Sequence, residues 1–259
     1  MGREIGRSFM SQPDDVPTPP WERPRKRQAP ARIPLTRERI VDAAFVVLDR
    51  EGLDKLSMRQ VAAELGVAVS ALYAHVEGKD ELFELMYARL FDHAELPDPD
   101  PDNWQEQIKD YARAGRQRLL RHRDMARISM AHAPFTADLL PHVEKLFAVL
   151  RAGGLPDKVM AIAGDLLSTY MEGFTLEESM WQERLNDASW KQVGAEIRDY
   201  FSSLPPERFP NMVALADLLV GESNDYRFEL GLDIILRGLA TYAEEDPGKS
   251  SRDRRHERE

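Results

Sequence analysis

The chain has 259 residues, no cysteine and a formal net charge of −10. This length suffices for one large or two modest domains, and the absence of cysteine excludes disulfides, thiolate metal sites and cysteine nucleophiles. No window approaches the roughly eighteen consecutive apolar residues of a membrane span, and the N-terminus lacks the apolar region of a secretory signal. These features favour a cytoplasmic protein.

Positive charge is concentrated near the N-terminus. Residues 21–39 contain seven Lys and Arg residues, against only Glu22 and Glu38. A basic arm on an acidic body is typical of a protein that touches phosphate at one end only. Residues 1–33 are rich in Pro, Arg and Asp and have no periodicity, and residues 246–259 are polar, so we expect both to be disordered.

The region between these ends is predicted to be all-α, without an alternating strand pattern or a repeat. The first helix is expected to start at Thr36 and to end at Gly52. Ser57 is a predicted N-cap for the second helix, which Gly66 ends. A third helix begins near Val69 or Ser70, and a fourth covers 79–95.

The proline-rich segment "LPDPDPDN" forbids helix and marks the best domain boundary, near residues 96–103. It separates a predicted N-terminal unit, 34–95, from a larger helical domain, 96–245. The periodicity of the larger domain predicts helices at 104–121, 124–131, 136–152, 156–183, 188–203, 207–220 and 225–243.

Two short helices joined at Gly66, after a longer one, indicate a helix-turn-helix in a three-helix unit. Leu72 and Val76 should face inward, which leaves small or polar side chains outside: Ser70, Ala71, Tyr73, Ala74 and His75. Small side chains allow the backbone to enter a major groove, while tyrosine and histidine can donate to phosphate. Lys79, at the start of the next helix, can also meet a phosphate. The alternative is a tight helical corner without any role in DNA binding.

Residues 35–86 resemble the DNA-binding domain of the tetracycline-repressor (TetR) family of bacterial regulators, most specifically through "LYAHVEGKDEL". The resemblance implies a second helix that starts near Arg59 and a phosphate contact at Lys79. It places the groove-facing positions at Val69, Ser70, Ala71, Tyr73, Ala74 and His75. The sequence departs from tetracycline repressor itself at Met58, Val69 and Ala71, where that protein has polar base-reading residues, so a different operator is expected.

Three segments of the larger domain, "LLRHRDMARI", "GFTLEE" and "FELGLDIILRGL", resemble the effector domain of the same family. The resemblance implies that the last long helices pair across a two-fold axis as a four-helix bundle. A homodimer would let two recognition helices read a palindrome. Small residues on these helices would permit close packing, and the predicted interface residues are Gly164, Phe228, Gly231, Ile235 and Gly238.

A mostly aromatic set with few charges is the candidate effector site: Trp104, Tyr111, His132, Phe135, Tyr170 and Phe174. Such a lining suits a mainly apolar or aromatic molecule with one or two polar groups, and it contains no arginine for a strongly anionic one. The alternative is that these side chains fill a closed core. The tetracycline and magnesium positions of the family are not reproduced, because Tyr111, Gly115 and Ser129 stand at three of them.

No GxSxG, HExxH or phosphate-loop motif is present, so we expect no enzyme activity, metal or cofactor. The sequence predicts a ligand-responsive, dimeric transcriptional regulator, a repressor that a small molecule releases from a palindromic operator. The rival class is an all-α enzyme or scaffold with an incidental helix-turn-helix.

Overall fold

The computed structural model of the chain describes residues 34–91, 96–131, 137, 139–185 and 190–244, and the statements below concern these residues. The predicted arm, residues 1–33, the predicted tail, 246–259, and the candidate residues His132 and Phe135 lie outside them. The described residues form helices and no strands, which confirms the all-α prediction. The helices are α1 Arg37–Glu51, α2 Met58–Leu65, α3 Val69–Leu72, α4 Lys79–Leu90, α5 Trp104–Leu120, α6 Met125–Ala131, α7 Leu140–Ala152, α8 Asp157–Leu185, α9 Trp190–Ser202, α10 Pro210–Gly221 and α11 Asn224–Glu244.

The helix-turn-helix has the caps that the sequence predicts. The backbone N–H of Gln60 donates to Ser57 Oγ at 3.3 Å, so Ser57 is the N-cap of α2. Gly66 ends α2 with φ 65°, in the left-handed region that glycine adopts without strain. Leu72 and Val76 are buried, as predicted. α3 packs against α2.

The helices α5–α11, which we call the body, are organised around α8. This longest helix packs against α5, α6, α7 and α11. α9 and α10 form a hairpin in which the two helices pack mainly on each other. The N-terminal unit meets the body where α4 packs against α6. All eleven helices lie within one compact unit, Thr36–Glu259.

Two helices of the body begin at least three residues later than the sequence pattern predicts. α7 begins at Leu140 rather than at 136, and α10 begins at Pro210 rather than at 207. In each case a proline, Pro141 or Pro210, stands in the first turn. Proline favours this position because the first helical N–H groups have no intrahelical partner.

No helix within the described residues is long and apolar enough to cross a membrane. The same residues contain no group of three or more His, Cys, Asp or Glu side chains placed to hold a metal ion.

Candidate DNA-binding surface and ligand cavity

The residues predicted to contact DNA are all exposed or half-buried in the N-terminal unit. Tyr73 is 54% exposed, and Arg59 and Lys79 are also exposed. The remaining members are exposed or half-buried: Val69, Ser70, Ala71, Ala74 and His75. We call these eight residues the recognition surface. It contains small side chains together with the Tyr73 hydroxyl and the two cations, Arg59 and Lys79.

Arg37 of α1 holds the end of the recognition surface in place. Its Nε donates to the His75 carbonyl at 2.8 Å, and its Nη2 lies 3.0 Å from a Glu81 carboxylate oxygen. The backbone N–H of Glu77 also donates to the Glu81 carboxylate. Together these bonds join α1, the turn after α3 and α4. The orientation of α3 is therefore linked to that of α4.

The other end of α4 reaches the body. Tyr87 is buried, and its hydroxyl donates a 3.2 Å hydrogen bond to Glu172 Oε1 on α8. Phe91, which follows α4, packs edge-on against Tyr87 and against His142 of α7. α4 is thus the element that runs from the recognition surface to the centre of the body.

A cavity of about 310 Å³ lies at this end of α4, among α4, α5, α6, α7 and α8. This volume is at the lower end of the range found for small-molecule sites, roughly 300–1,000 Å³. Apolar side chains dominate the wall, and several hydroxyl and carboxylate groups interrupt it. The lining residues are Tyr87, Phe91, Ile108, Tyr111, Ala112, Ser129, Met130, Val143, Leu146, Phe147, Ala161, Gly164, Asp165, Leu167, Ser168, Thr169, Met171 and Glu172.

The polar centre of the cavity is the Glu172 carboxylate. Its Oε1 accepts a 2.6 Å bond from Ser129 Oγ as well as the bond from Tyr87. Burial raises the pKa of Glu172, while the two hydrogen bonds act in the opposite direction. Burial also raises the pKa of Tyr111 to about 12. Burial raises the pKa of Tyr87 as well, so at neutral pH Tyr87 and Tyr111 both keep their phenolic protons and can donate hydrogen bonds.

The charged side chains of the described lining are all acidic. Among the described residues, the lining contains two carboxylates, Glu172 and the exposed Asp165, and no lysine, arginine or histidine. An anionic group beside Glu172 would meet negative charge there. Arg118 lies outside the lining, where its guanidinium is 5.9 Å from the centroid of the Phe91 ring. The described wall therefore suits an apolar molecule that carries hydrogen-bond donors.

Only one of the described residues predicted to bind an effector lies in the cavity wall. Tyr111 lines the cavity. Trp104 is buried against Gly153, outside the lining. Tyr170 and Phe174 pack around Phe228 of α11, with the Tyr170 hydroxyl donating to the Phe228 carbonyl at 3.0 Å. These three aromatics stabilise helix packing in the body.

Sequence reasoning missed Tyr87 and Glu172, and it noted Ser129 only as a departure from the family pattern. One signal was available: Glu172 lies within α8 between apolar positions, where a charged side chain needs a partner. The partners come from α4 and α6, which are distant in sequence, so the pattern of α8 alone does not reveal them.

The residues predicted at the dimer interface also differ in burial and in the neighbours that they contact. Phe228 is fully buried within its own subunit, and a Cβ on Gly231 would lie 2.0 Å from the Tyr170 hydroxyl. Gly164 faces Phe147 in the cavity wall, and Ile235 is half-buried. Gly238 faces open space. Two exposed apolar pairs lie on these helices, Ile162 with Leu166 on α8 and Leu230 with Ile234 on α11.

Comparisons with known proteins agree with this architecture. The family described as "Bacterial regulatory proteins, tetR family" matches residues 40–86, and "Tetracyclin repressor-like, C-terminal domain" matches residues 96–243. The HTH-type transcriptional repressor DrrR1 of Streptomyces coeruleorubidus is 30% identical over 238 residues, which cover 89% of this chain and 87% of the relative. Tetracycline repressor protein class A of Escherichia coli is 31% identical over 206 residues, covering 78% and 88%.

Among solved structures, the TetR family protein ActR of Streptomyces coelicolor in complex with actinorhodin is 41% identical. The match has a TM-score of 0.75 and covers 82% of this chain and 100% of ActR. These relatives are regulators and give no support to the enzyme-or-scaffold alternative. The chain belongs to the TetR family of ligand-responsive, DNA-binding transcriptional repressors.

Proposed function

We propose that this chain is a homodimeric repressor whose recognition surface binds a palindromic operator, and that an apolar or aromatic small molecule in the α4–α8 cavity releases it. The observation that carries the proposal is the course of α4. The helix starts at Lys79, in the recognition surface, and it carries Tyr87 into the cavity wall. A ligand that changes the position of α4 would change the spacing of two recognition surfaces.

The mechanism is a population shift. A ligand that fits the cavity better when α4 is displaced stabilises the conformation with the wrong half-site spacing. The size of the shift is set by the difference in ligand affinity between the two conformations. ActR, which is similar along most of this chain, was solved in complex with actinorhodin. That complex supports a small-molecule effector for this chain too.

The exposed apolar pairs on α8 and α11 support the homodimer. Leu230, Ile234 and Gly238 follow one another at intervals of four residues, so they lie on one face of α11. Ile234 is 64% exposed in the single subunit. Burial of this face against its copy would remove apolar surface from water and would bring the two α11 helices close at Gly238.

A repressor that acts on chromosomal DNA in a bacterium works in the cytoplasm.

Footprinting on the DNA upstream of the gene for this chain tests the proposal. The expected result is a protected site with two-fold symmetry, bound more weakly as salt rises because phosphate contacts release counterions. A scrambled duplex of the same composition is the control. Equal affinity for both duplexes would contradict a sequence-specific regulator.

A further inference from the structure

The Glu172 carboxylate connects three helices at the cavity. Its Oε1 accepts hydrogen bonds from Tyr87 on α4 and from Ser129 on α6, while Glu172 itself belongs to α8. Within the described part of the chain no donor reaches the second oxygen, Oε2, and the residue lines the cavity. Glu172 is half-buried, and a carboxylate in such surroundings has acceptor capacity left for a further donor.

We propose that Glu172 anchors the effector through a hydrogen-bond donor, a hydroxyl or a protonated amine on an apolar skeleton, and that Tyr87 transmits occupancy of this anchor to α4. The inference rests on the function proposed above and specifies the chemistry of its ligand. It also assigns different roles to two residues of one hydrogen-bond network: Glu172 contacts the ligand, and Tyr87 acts through Glu172.

The surroundings support a donor rather than an acceptor. The described lining contains no cation of its own, because Arg118 lies outside it against the Phe91 ring, and Asp165 adds negative charge at the exposed side. A hydrogen bond to an ionised carboxylate is stronger than one between neutral groups, and the low-dielectric surroundings increase the difference. A ligand donor therefore gains more at Glu172 than at the hydroxyl groups of Ser168 or Thr169.

We expect this transmission because the ligand and Tyr87 share one hydrogen-bond acceptor, the Glu172 carboxylate. A donor that bonds to the carboxylate withdraws electron density from it and thereby weakens the bond that Tyr87 makes to the same group. The ligand skeleton occupies space beside α4 at the same time. Tyr87 is the member of this network that belongs to the helix of the recognition surface, so loss of its bond loosens α4 directly, whereas Ser129 belongs to α6.

Four fluorescent probes with one skeleton test the anchor: 9-methylanthracene, 9-anthracenemethanol, 9-(aminomethyl)anthracene and anthracene-9-carboxylate. We expect the alcohol and the ammonium to bind the full-length protein about tenfold more tightly than the methyl compound, and the carboxylate to bind most weakly. In Glu172→Gln that advantage should disappear for the ammonium and fall for the alcohol, which distinguishes a charged from a neutral donor.

Tyr87→Phe tests the transmission, with Ser129→Ala as the matched control. Tyr87→Phe should bind 9-anthracenemethanol within about threefold of the wild type, but it should bind the upstream DNA more weakly before any probe is added, because the hydrogen bond that restrains α4 is already absent. Saturating probe should then lower the DNA affinity of this variant at least about tenfold less than it lowers that of the wild type, within the usual range of allosteric coupling. Ser129→Ala should release the DNA at the same probe occupancy as the wild type.

The possible failures have different meanings. If Glu172→Gln binds all four probes as the wild type does, the anchor is wrong. If saturating probe lowers the DNA affinity of Tyr87→Phe as much as it lowers that of the wild type, the transmission is wrong, although the cavity remains the ligand site. If the wild type binds none of the four probes, the cavity does not take an apolar ligand, and the proposed effector site fails together with this inference.

Discussion

Asp49, near the end of α1, holds the loop before α6 with both oxygens of its carboxylate. Oδ2 lies 2.9 Å from His122 Nδ1, and Oδ1 accepts a 3.0 Å bond from the backbone N–H of Arg123. In the reverse direction, Asp124 accepts a 2.8 Å bond from the backbone N–H of Leu53. These bonds form a second junction between the N-terminal unit and the body, in addition to α4.

Removal of the Asp49 carboxylate should loosen that junction. We expect Asp49→Ala to lower the free energy of unfolding by about 1–2 kcal/mol, because the mutant loses one bond to an imidazole and one to a backbone N–H. Urea denaturation measures the change. Asp102→Ala, in an exposed loop, is the control and should have little effect. Equal stability of the two variants would show that the junction contributes nothing measurable.

The packing of Gly153 against Trp104 should tolerate no larger side chain. A Cβ on Gly153 would lie 2.5–2.8 Å from three atoms of the rigid indole ring, so Gly153→Ala should destabilise the protein by about 1–3 kcal/mol. Gly173→Ala is the matched control, since no atom lies within 4 Å of its Cβ position in α8. There the gain in helix propensity, up to about 1 kcal/mol, should dominate. Thermal unfolding of both variants would reveal opposite signs, and a stable Gly153→Ala would contradict the described packing.

Substitutions in the recognition surface should weaken DNA binding without unfolding the protein. Tyr73→Ala and Lys79→Ala each remove an expected phosphate contact, so the loss should be similar for different sequences. For Lys79→Ala the slope of log affinity against log salt should fall by about one unit. Tyr200→Ala, which removes an exposed tyrosine from α9, is the control. Wild-type affinity of both recognition variants at moderate salt would rule out this docking surface.

The raised pKa of Glu172 predicts a pH-dependent stability. Burial is the main cause, and the neighbouring titratable groups, Tyr87 and Tyr111, remain protonated in this range. The folded protein therefore binds the Glu172 proton more tightly than the unfolded chain does. Stability relative to a neutral side chain is lost as pH rises from the ordinary value of 4.5 through the raised folded value.

Glu172→Gln should accordingly have a higher melting temperature than the wild type near pH 8, and the difference should shrink as the pH falls toward about 4.5. The exposed Glu207→Gln provides the baseline for the loss of one charge. A pH-independent difference between Glu172→Gln and the wild type would mean that the carboxylate carries no burial penalty.

A charge on the exposed face of α11 should separate the subunits. Ile234→Arg places a cation where the proposed dimer is apolar, so sedimentation at micromolar concentration should show a monomer that retains its helical content. Leu140→Arg changes an exposed leucine on a different helix, α7, and should remain dimeric. A wild-type monomer, or a dimer that survives Ile234→Arg, would contradict the proposed interface.

The N-terminal unit was predictable because local patterns determine it. Ser57 and Gly66 define the ends of α2 by hydrogen bonds and dihedral preference, and Leu72 and Val76 follow the apolar period. Pro141 and Pro210 are equally local signals of a helix start, but the apolar pattern continues on their N-terminal sides and therefore predicts starts that are too early.

The cavity was harder to predict because it depends on contacts between distant helices. Tyr170, Phe174 and Phe228 have the composition of an aromatic binding site, yet they pack on one another. Glu172 was hidden among apolar positions because its two donors come from α4 and α6. Gly231 and Gly238 are seven residues apart on α11, but only the first packs within its own subunit.

The most direct test of a cavity ligand that controls DNA binding is to measure ligand occupancy and DNA release on the same sample. Probe fluorescence reports occupancy of the protein, and the anisotropy of labelled upstream DNA reports release. If the cavity controls the recognition surface, anisotropy should fall in step with occupancy until the DNA is free. DNA that stays fully bound while the probe saturates the protein would contradict the account.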